Sequence, residues 1–467
     1  MTFDFRTTSV VDLAEEVRHG KTSARELTGA ALARIDELNG SVNAFVAIDA
    51  ESALAAAAHV DEQVAAGKDP GPLAGIPIGV KDLEEAAGFR TTKGSAAFAD
   101  HAPADGDSPL VARLKAAGCV VVGKTNTPEL GWKGDTTNVL FGATRNPWSL
   151  DRSAGGSSGG SAAAIASGMV PLCSGSDGGG SIRIPASCCG LAGFKPSLGR
   201  IPSGGAVAPD WHHLSTRGPM ARTIRDTAAA LDAVLGPDPT DLRSLPMPEV
   251  SWQSALDDAH LPMKVAWSPT LGYANVDDEV LRICRAAIDR IADLGAEIVE
   301  VDVVFPEDPV LSWVTMTNAY NARTLGAYQG TEVWDRIDPG LRAMVEWGST
   351  IPAVDLVKAE DRCHELNLRL VDLFHGCRLL LTPTIASLPP LSGAPGTING
   401  AEAANWVSFT YPFNMTRSPA GSVCVGLSEA GVPVGLQVVG PQHGDLVVLR
   451  GMAVLEAALD PGRVAPI

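Results

Sequence analysis

Two segments rich in glycine and serine carry the hydroxyl groups best placed to act as nucleophiles. In the first, Gly175 to Arg183, the glycines Gly178, Gly179 and Gly180 stand directly before Ser181. Because glycine has no Cβ, such a run can turn successive N–H groups toward one point and bind an anion. An oxyanion hole requires this geometry. The run predicts Ser181 as a nucleophile beside its own oxyanion donors, and a tight turn capped by Ser181 is the alternative.

The second segment, Gly155 to Ser161, precedes an alanine-rich helix. A helix N-terminus can bind phosphate, but the segment lacks the lysine of a P-loop. It also contains a G-x-S-x-G pattern centred on Ser158, which is typical of the nucleophile elbow of α/β-hydrolases. That elbow follows a buried strand, whereas residues 151–154 are not a buried strand, so the elbow hypothesis is disfavoured.

Lys81 ends the apolar run Ile76 to Val80, where a buried strand would carry its amine to a site at the strand end. Most lysines are solvated surface charges. Burial disfavours the charged form, however, so an amine in this position can become a neutral general base. A hydroxyl relay to such a lysine would work without histidine.

The surrounding elements alternate between strand and helix. Apolar periodicity and a capping box at residues 23–26 predict helices over Val10–Val17 and from Ser23 to Leu38. Short apolar runs predict buried strands, and periodic segments predict helices between them. The predicted strands are 76–80, 119–122, 170–173, 263–267, 296–301, 379–381 and 432–439, and the further helices are 109–117, 162–166, 277–294 and segments up to about 375.

The domain organisation follows from the absence of repeats and of long linkers. We expect one domain over residues 1–467, with an N-terminal helical portion (1–66) packed on it and a catalytic core over 70–240. A split near 240–260, where four prolines cluster, is the alternative.

Composition and charge exclude several classes of protein. The 467 residues carry 36 Lys and Arg against 54 Asp and Glu, a net charge of −18, which disfavours nucleic acid as a partner. No apolar window is long enough for a membrane span and no secretory signal is found, so a cytoplasmic location is expected. The eight cysteines are expected to be reduced core residues, and no zinc-ligand spacing occurs.

Taken together, several blocks resemble those of the amidase signature family. They are 75–82, 155–161 and 175–185, extended by 193–197, 218–222, 383–384 and 433–437. The resemblance implies an α/β fold with a large mixed central β-sheet flanked by helices on both faces, and no metal or organic cofactor. It also implies a triad of Lys81, of Ser157 preceded by a cis peptide bond, and of Ser181 as nucleophile. The implied oxyanion donors are the main chain of Gly178, Gly179, Gly180 and Ser181, and a loop with Gly131 and Trp132 is expected along the substrate channel.

The function expected from this resemblance is hydrolysis of an amide, with esters and carbamates such as urethanes as further substrates. The A subunit of a tRNA-dependent amidotransferase and a catalytically idle binding relative are the alternatives. A small-molecule amide is the expected partner, and a homodimer is left open. Aromatic residues that could line an apolar pocket are Trp132, Trp313, Trp347, Trp406 and Phe409. An ion pair between Asp177 and Arg183 is expected to brace the nucleophile loop.

Overall fold

Two β-sheets form the centre of the molecule. The computed structural model describes residues 3–206, 208–459, 462 and 464–467. The strands in this part of the chain are β1 (Phe45–Ile48), β2 (Pro77–Lys81), β3 (Val120–Thr125), β4 (Thr137–Asn138), β5 (Gly142–Ala143), β6 (Arg145–Asn146), β7 (Ser149–Ser153), β8 (Leu172–Asp177), β9 (Gly193–Lys195), β10 (Thr216–Ala221), β11 (Lys264–Trp267), β12 (Glu297–Glu300), β13 (Leu379–Pro383), β14 (Thr397–Ile398), β15 (Ala401–Glu402), β16 (Ala420–Leu427) and β17 (Pro433–Val439).

The first sheet has five strands in the order β1-β3-β2-β8-β10. Its central strand β2 runs parallel to both neighbours, while β1 and β10 are antiparallel edges. Every residue of β2, β3 and β8 is buried, so both faces of the centre are covered. The carboxyl ends of β2 and β8 therefore meet inside the protein.

The second sheet has six strands in the order β12-β11-β13-β17-β16-β9. Parallel pairing joins β11 to β12 and β13, and antiparallel pairing joins the rest. A single antiparallel bridge between Ala192 and Ala221 connects the edge strands of the two sheets. The sheets thus continue into one another, as the predicted mixed central sheet requires.

Helices pack against the sheets. They are α1 (Val10–Arg18), α2 (Ala24–Val42), α3 (Ala50–Ala65), α4 (Pro109–Ala116), α5 (Gly159–Ala166), α6 (Arg183–Cys189), α7 (Ile224–Val234), α8 (Asp278–Asp293), α9 (Val310–Leu325), α10 (Pro339–Gly348), α11 (Ala353–Gly376), α12 (Pro412–Met415) and α13 (Asp445–Leu459). The capping box predicted at the start of α2 is present, with Ser23 and Glu26 each bonded to the other's backbone N–H. None of these described helices combines the length and apolar character that crossing a bilayer demands.

Most predicted elements are present within a few residues of their expected bounds. The predicted strand at 170–173 is displaced to Leu172–Asp177, and Pro171, which has no N–H to donate to a strand ladder, directly precedes it. Six of the eight cysteines are buried and two are half-buried, as expected for core residues. The single-domain organisation of 1–467 stays a prediction.

Candidate active site

Lys81 is the last residue of β2, and its backbone N–H donates to Ser174 Oγ on β8 at 2.8 Å. The neighbouring parallel strand β8 ends at Asp177, four residues before Ser181. Because β2 and β8 end at the same edge, the lysine and the glycine run predicted from the sequence come together. The sheet therefore positions both parts of the candidate site.

The Lys81 amine lies inside the protein, and its side chain is fully buried. Burial lowers the pKa of Lys81 from 10.5 to about 7, against the opposing influence of the Glu84 and Asp177 carboxylates. Near neutral pH a substantial fraction of the amine is thus unprotonated and able to accept a proton. The sequence-based expectation of a desolvated lysine is confirmed.

Three serine hydroxyls surround this amine. Lys81 Nζ lies 2.7 Å from Ser157 Oγ, 2.9 Å from Ser158 Oγ and 2.9 Å from Ser176 Oγ. The Ser158 hydroxyl donates to the Ser176 carbonyl at 3.3 Å, so its oxygen accepts from the lysine. A neutral amine retains one lone pair, which leaves it able to accept from one of the other two hydroxyls.

Ser157 and Ser158 differ in access. The peptide bond between Gly156 and Ser157 is cis, as the family resemblance implied. Ser157 borders a cavity, whereas Ser158 is fully buried at the start of α5. The preceding strand β7 is mostly half-buried and belongs to a two-stranded hairpin, unlike the buried strand of a nucleophile elbow.

Side chains from distant parts of the chain cover the glycine run. A Cβ on Gly178 would lie 2.6 Å from the Trp211 ring, and one on Gly179 would lie 2.4 Å from the Trp313 ring. A Cβ on Gly180 would lie 2.3 Å from Thr410 Oγ1, and its φ of +125° also favours glycine. Each of the three positions therefore requires glycine because a neighbour occupies the space of a side chain.

The carbonyls of this loop are held, which orients its N–H groups. Trp313 Nε1 donates to the Gly178 carbonyl at 3.0 Å, and Thr410 Oγ1 donates to the Gly179 carbonyl at 2.6 Å. In a trans peptide the N–H points away from the preceding C=O, so the Gly179 N–H is directed away from Trp313. Within the described residues, the N–H groups of Gly179 and Ser181 donate to no protein acceptor. By contrast, the Gly180 N–H already donates to Asp177 Oδ1 at 2.8 Å.

Asp177 and Arg183 form the ion pair expected from the sequence. Both side chains are fully buried, and Arg183 donates to the carboxylate through Nη2 at 2.8 Å and Nε at 2.9 Å. Burial alone would raise the pKa of Asp177, but the Arg183 guanidinium outweighs it and holds this pKa well below the ordinary value. The remaining donors of Arg183 reach Thr410, Asn414 and Gln437. The pair therefore ties the loop that contains the glycine run to Thr410, Asn414 and Gln437.

A large cavity of about 720 Å³ borders Ser181. Gly131 and Trp132, predicted along a substrate channel, line it together with the predicted Trp313 and Trp406. Two further aromatic residues, Trp211 and Tyr411, also line it, although their sequence contexts do not single them out. Its wall is suited to an aryl or alkyl group.

Two aromatic residues predicted for this pocket lie elsewhere. Trp347 is 41% exposed on α10, and Phe409 is fully buried in the core. The prediction is wrong for both, because helix α10 turns Trp347 toward solvent and the packing of Phe409 leaves it no cavity face.

A second, smaller cavity of about 40 Å³ also borders Ser181. Gly131, Ser181 and Trp211 line both cavities, but Ser157 and Ser176 line only the small one. Its other walls are mainly polar, formed by the ion pairs Glu84 with Arg217 at 2.8 Å and Lys93 with Asp210 at 2.8 Å. Sequence reasoning did not identify these four charged residues, since isolated charges carry no positional signal.

Comparison with known proteins places this geometry in a family. The Amidase family model matches residues 26–449. An acylamidase of Rhodococcus erythropolis is 37% identical over 96% of this chain and 95% of its own. The A subunit of the glutamyl-tRNA(Gln) amidotransferase of Salinispora arenicola is 36% identical over 98% of both chains. The crystal structure of a bacterial aryl acylamidase of the amidase signature family superposes with a TM-score of 0.91, at 29% identity, covering 97% of this chain and 96% of the other.

The chain belongs to the amidase signature family. It is an amide-hydrolysing enzyme that cleaves carbon–nitrogen bonds, with the α/β fold that the sequence predicted.

Proposed function

We propose that this enzyme hydrolyses small-molecule amides through an acyl-enzyme on Ser181, with Ser157 passing protons to and from Lys81. The observation that carries the proposal is the contact of 2.7 Å between the buried Lys81 amine and Ser157 Oγ. A buried amine whose pKa is lowered to about 7 is matched to proton transfer at neutral pH. Ser181 borders both cavities, so its hydroxyl is accessible to a substrate that occupies them.

In the first half of the reaction, Ser181 Oγ attacks the amide carbonyl while its proton passes to Ser157 Oγ. The Ser157 proton passes in turn to neutral Lys81. In the part of the chain that the structure describes, the N–H groups of Gly179 and Ser181 have no protein acceptor, which makes them the best available donors for the oxyanion, with the main chain of Gly178 beside them. The Gly180 N–H already donates to Asp177, so it could bind the oxyanion only through a second, bifurcated hydrogen bond.

In the second half, Lys81 returns its proton through Ser157 to the leaving nitrogen, and the carbon–nitrogen bond breaks. Water then attacks the ester on Ser181, and the same relay accepts a proton from that water. The products are a carboxylic acid, the amine and the regenerated serine. Because a serine ester can form from esters and carbamates too, urethane hydrolysis belongs to the same proposal.

A fluorophosphonate probe tests the nucleophile, because it reacts with activated serines. We expect the adduct on Ser181, located by mass spectrometry, and its loss in Ser181→Ala. An adduct on Ser158 would overturn the assignment. The hydrolysis rate should also rise through about pH 7 as Lys81 loses its proton, and a rate independent of pH between about 6 and 9 would contradict the lysine base.

The amidotransferase role is the second candidate function, favoured by the 36% identity to the Salinispora arenicola protein over 98% of the chain. The rate of hydrolysis of free glutamine, compared with that of other amides, distinguishes a stand-alone amidase from an amidotransferase subunit. A stand-alone amidase should hydrolyse amides with large apolar groups better than free glutamine, since aromatic residues line the large cavity. The cytoplasmic location and the homodimer stay predictions.

A further inference from the structure

The two cavities beside Ser181 differ in size and polarity. The large one is about 720 Å³ and carries several aromatic side chains, whereas the small one is about 40 Å³ and is bordered by two ion pairs. A volume of about 40 Å³ leaves the small cavity room for only a few water-sized groups. A substrate that occupies both cavities must therefore place its bulky part in the large one.

Ser157 distinguishes the two cavities chemically, because it lines only the small one. In the proposed mechanism it returns the proton to the departing nitrogen, so that nitrogen must come within hydrogen-bond distance of Ser157 Oγ. Ser157 borders the small cavity and is absent from the described lining of the large one. The amine side of the substrate consequently lies in the small cavity, and the acyl side lies in the large cavity.

We infer that this enzyme prefers amides with a bulky apolar acyl group and a small amine, such as primary amides of arylalkanoic acids, over small-acyl amides of bulky amines. The inference rests on the proposed function, because it uses Ser157 as the proton donor. It assigns a direction to the substrate that the names of the relatives leave open, since this chain is similar both to an acylamidase and to an amidotransferase component.

Arg217 and Glu84 give the small cavity a polar wall, in which Arg217 Nε donates to Glu84 at 2.8 Å. Such a wall suits ammonia or a short polar amine better than a bulky apolar amine.

The outer wall of the small cavity is formed by the pair of Lys93 and Asp210. Their side chains are 24% and 35% exposed, whereas that of Glu84 is 4% exposed. Lys93 has φ of +52°, a conformation that glycine adopts without strain. Lys93→Gly would thus remove the side chain from this wall and relieve the backbone at the same time.

The test compares phenylpropionamide with N-phenethylacetamide, which carry the same ring on opposite sides of the amide bond. For the wild type we expect kcat/KM to be higher for phenylpropionamide by about tenfold or more, the discrimination that a misfitting apolar group gives. Lys93→Gly should lower the ratio of the two kcat/KM values, because it should raise kcat/KM for N-phenethylacetamide. Val310→Trp, which fills part of the large cavity, should lower kcat/KM for phenylpropionamide selectively.

Equal rates for the two substrates, or a preference for N-phenethylacetamide, would overturn the inference. So would a selective loss of N-phenethylacetamide hydrolysis in Val310→Trp. Fluorophosphonate labelling of Ser181 tests the proposed function separately from the substrate direction. Labelling together with a reversed preference overturns only the substrate direction, whereas failure to label Ser181 together with hydrolysis unaffected by Ser181→Ala overturns the proposed function as well.

Discussion

Replacing Lys81 by methionine should abolish turnover and yet stabilise the folded protein near neutral pH. The lysine is fully buried, and its pKa is lowered from 10.5 to about 7. Methionine has a similar length and carries no charge that burial would penalise. The folded state of the variant therefore no longer has to release a proton that the unfolded state holds.

The magnitude follows from the lowered pKa. A difference of one pKa unit corresponds to about 1.4 kcal/mol. The fall in the pKa of Lys81 from 10.5 to about 7 therefore means that burying the charged amine destabilises the folded state by roughly 5 kcal/mol below pH 7. Methionine also loses three hydrogen bonds to serines, at about 1 kcal/mol each. The net gain in the free energy of unfolding should be about 2 kcal/mol at pH 7.

The gain should depend on pH with a defined sign. Between about pH 7 and 10.5 the unfolded chain binds the lysine proton and the folded chain does not, so raising the pH stabilises the wild type by about 1.4 kcal/mol per pH unit. The variant lacks this slope, and its advantage should shrink as the pH rises. Urea denaturation of both proteins at pH 7, 8 and 9 measures the difference directly, while the contributions of other groups cancel.

Two controls define the result. Lys21→Met removes an exposed lysine and should show no such slope relative to the wild type. Lys195→Met removes a second buried lysine, whose pKa burial and the Arg183 charge also lower to about 7, and should show the slope while retaining turnover. A constant difference between Lys81→Met and the wild type across the three pH values would mean that Lys81 is charged in the folded protein. The base mechanism would then be refuted.

Three further predictions concern the loop, the cavity wall and metals. Asp177→Asn leaves the buried Arg183 uncompensated and should lower the free energy of unfolding by about 3 to 5 kcal/mol in urea, whereas Asp257→Asn in an exposed pair should cost less than about 1 kcal/mol. Gly131→Ala places a Cβ 3.0 Å from Ser157 Oγ and should lower kcat by about tenfold to a hundredfold. Gly142→Ala, with a similar φ of +78° and open space around it, should retain kcat, and equal losses in both would point to backbone strain alone. EDTA should not change the hydrolysis rate, because the proposed relay uses one lysine and two serines; loss of activity restored by zinc would contradict the relay.

Strongly patterned elements could be predicted from the sequence, and weakly patterned ones could not. The capping box of α2 and the apolar run of β2 have short-range signals that leave few alternatives. Strand β10 contains Gly218 and Pro219, which disfavour a central strand, and the structure places it at a sheet edge where proline is tolerated. Strand β16 begins with the small residues 420–422, so the apolar part of its sequence starts only at Val423 and does not mark the start of the strand.

The candidate site also contains some residues that local sequence patterns predict and others that only the tertiary fold brings together. The lysine and the glycine run are marked by their own neighbours in sequence, and the ion pair of Asp177 and Arg183 lies within one short segment. The covering residues Trp211, Trp313 and Thr410 reach the loop only through tertiary folding. The same is true of Arg217 at the small cavity, because its partner Glu84 lies 133 positions away. Such pairings depend on topology, which local patterns do not encode.

The hydrogen bonds of Arg183 to residues far along the chain can form only after those residues have been synthesised. The guanidinium bonds to Thr410, Asn414 and Gln437, which follow it by 227, 231 and 254 positions. A ribosome adds about 5 to 20 residues per second, so roughly 10 to 50 seconds pass between the synthesis of Arg183 and that of Gln437. A chain released before residue 410 would lack all three of these partners of Arg183. We therefore expect a chain that terminates before Gln437 to lack hydrolase activity, although it contains every residue of the proposed relay.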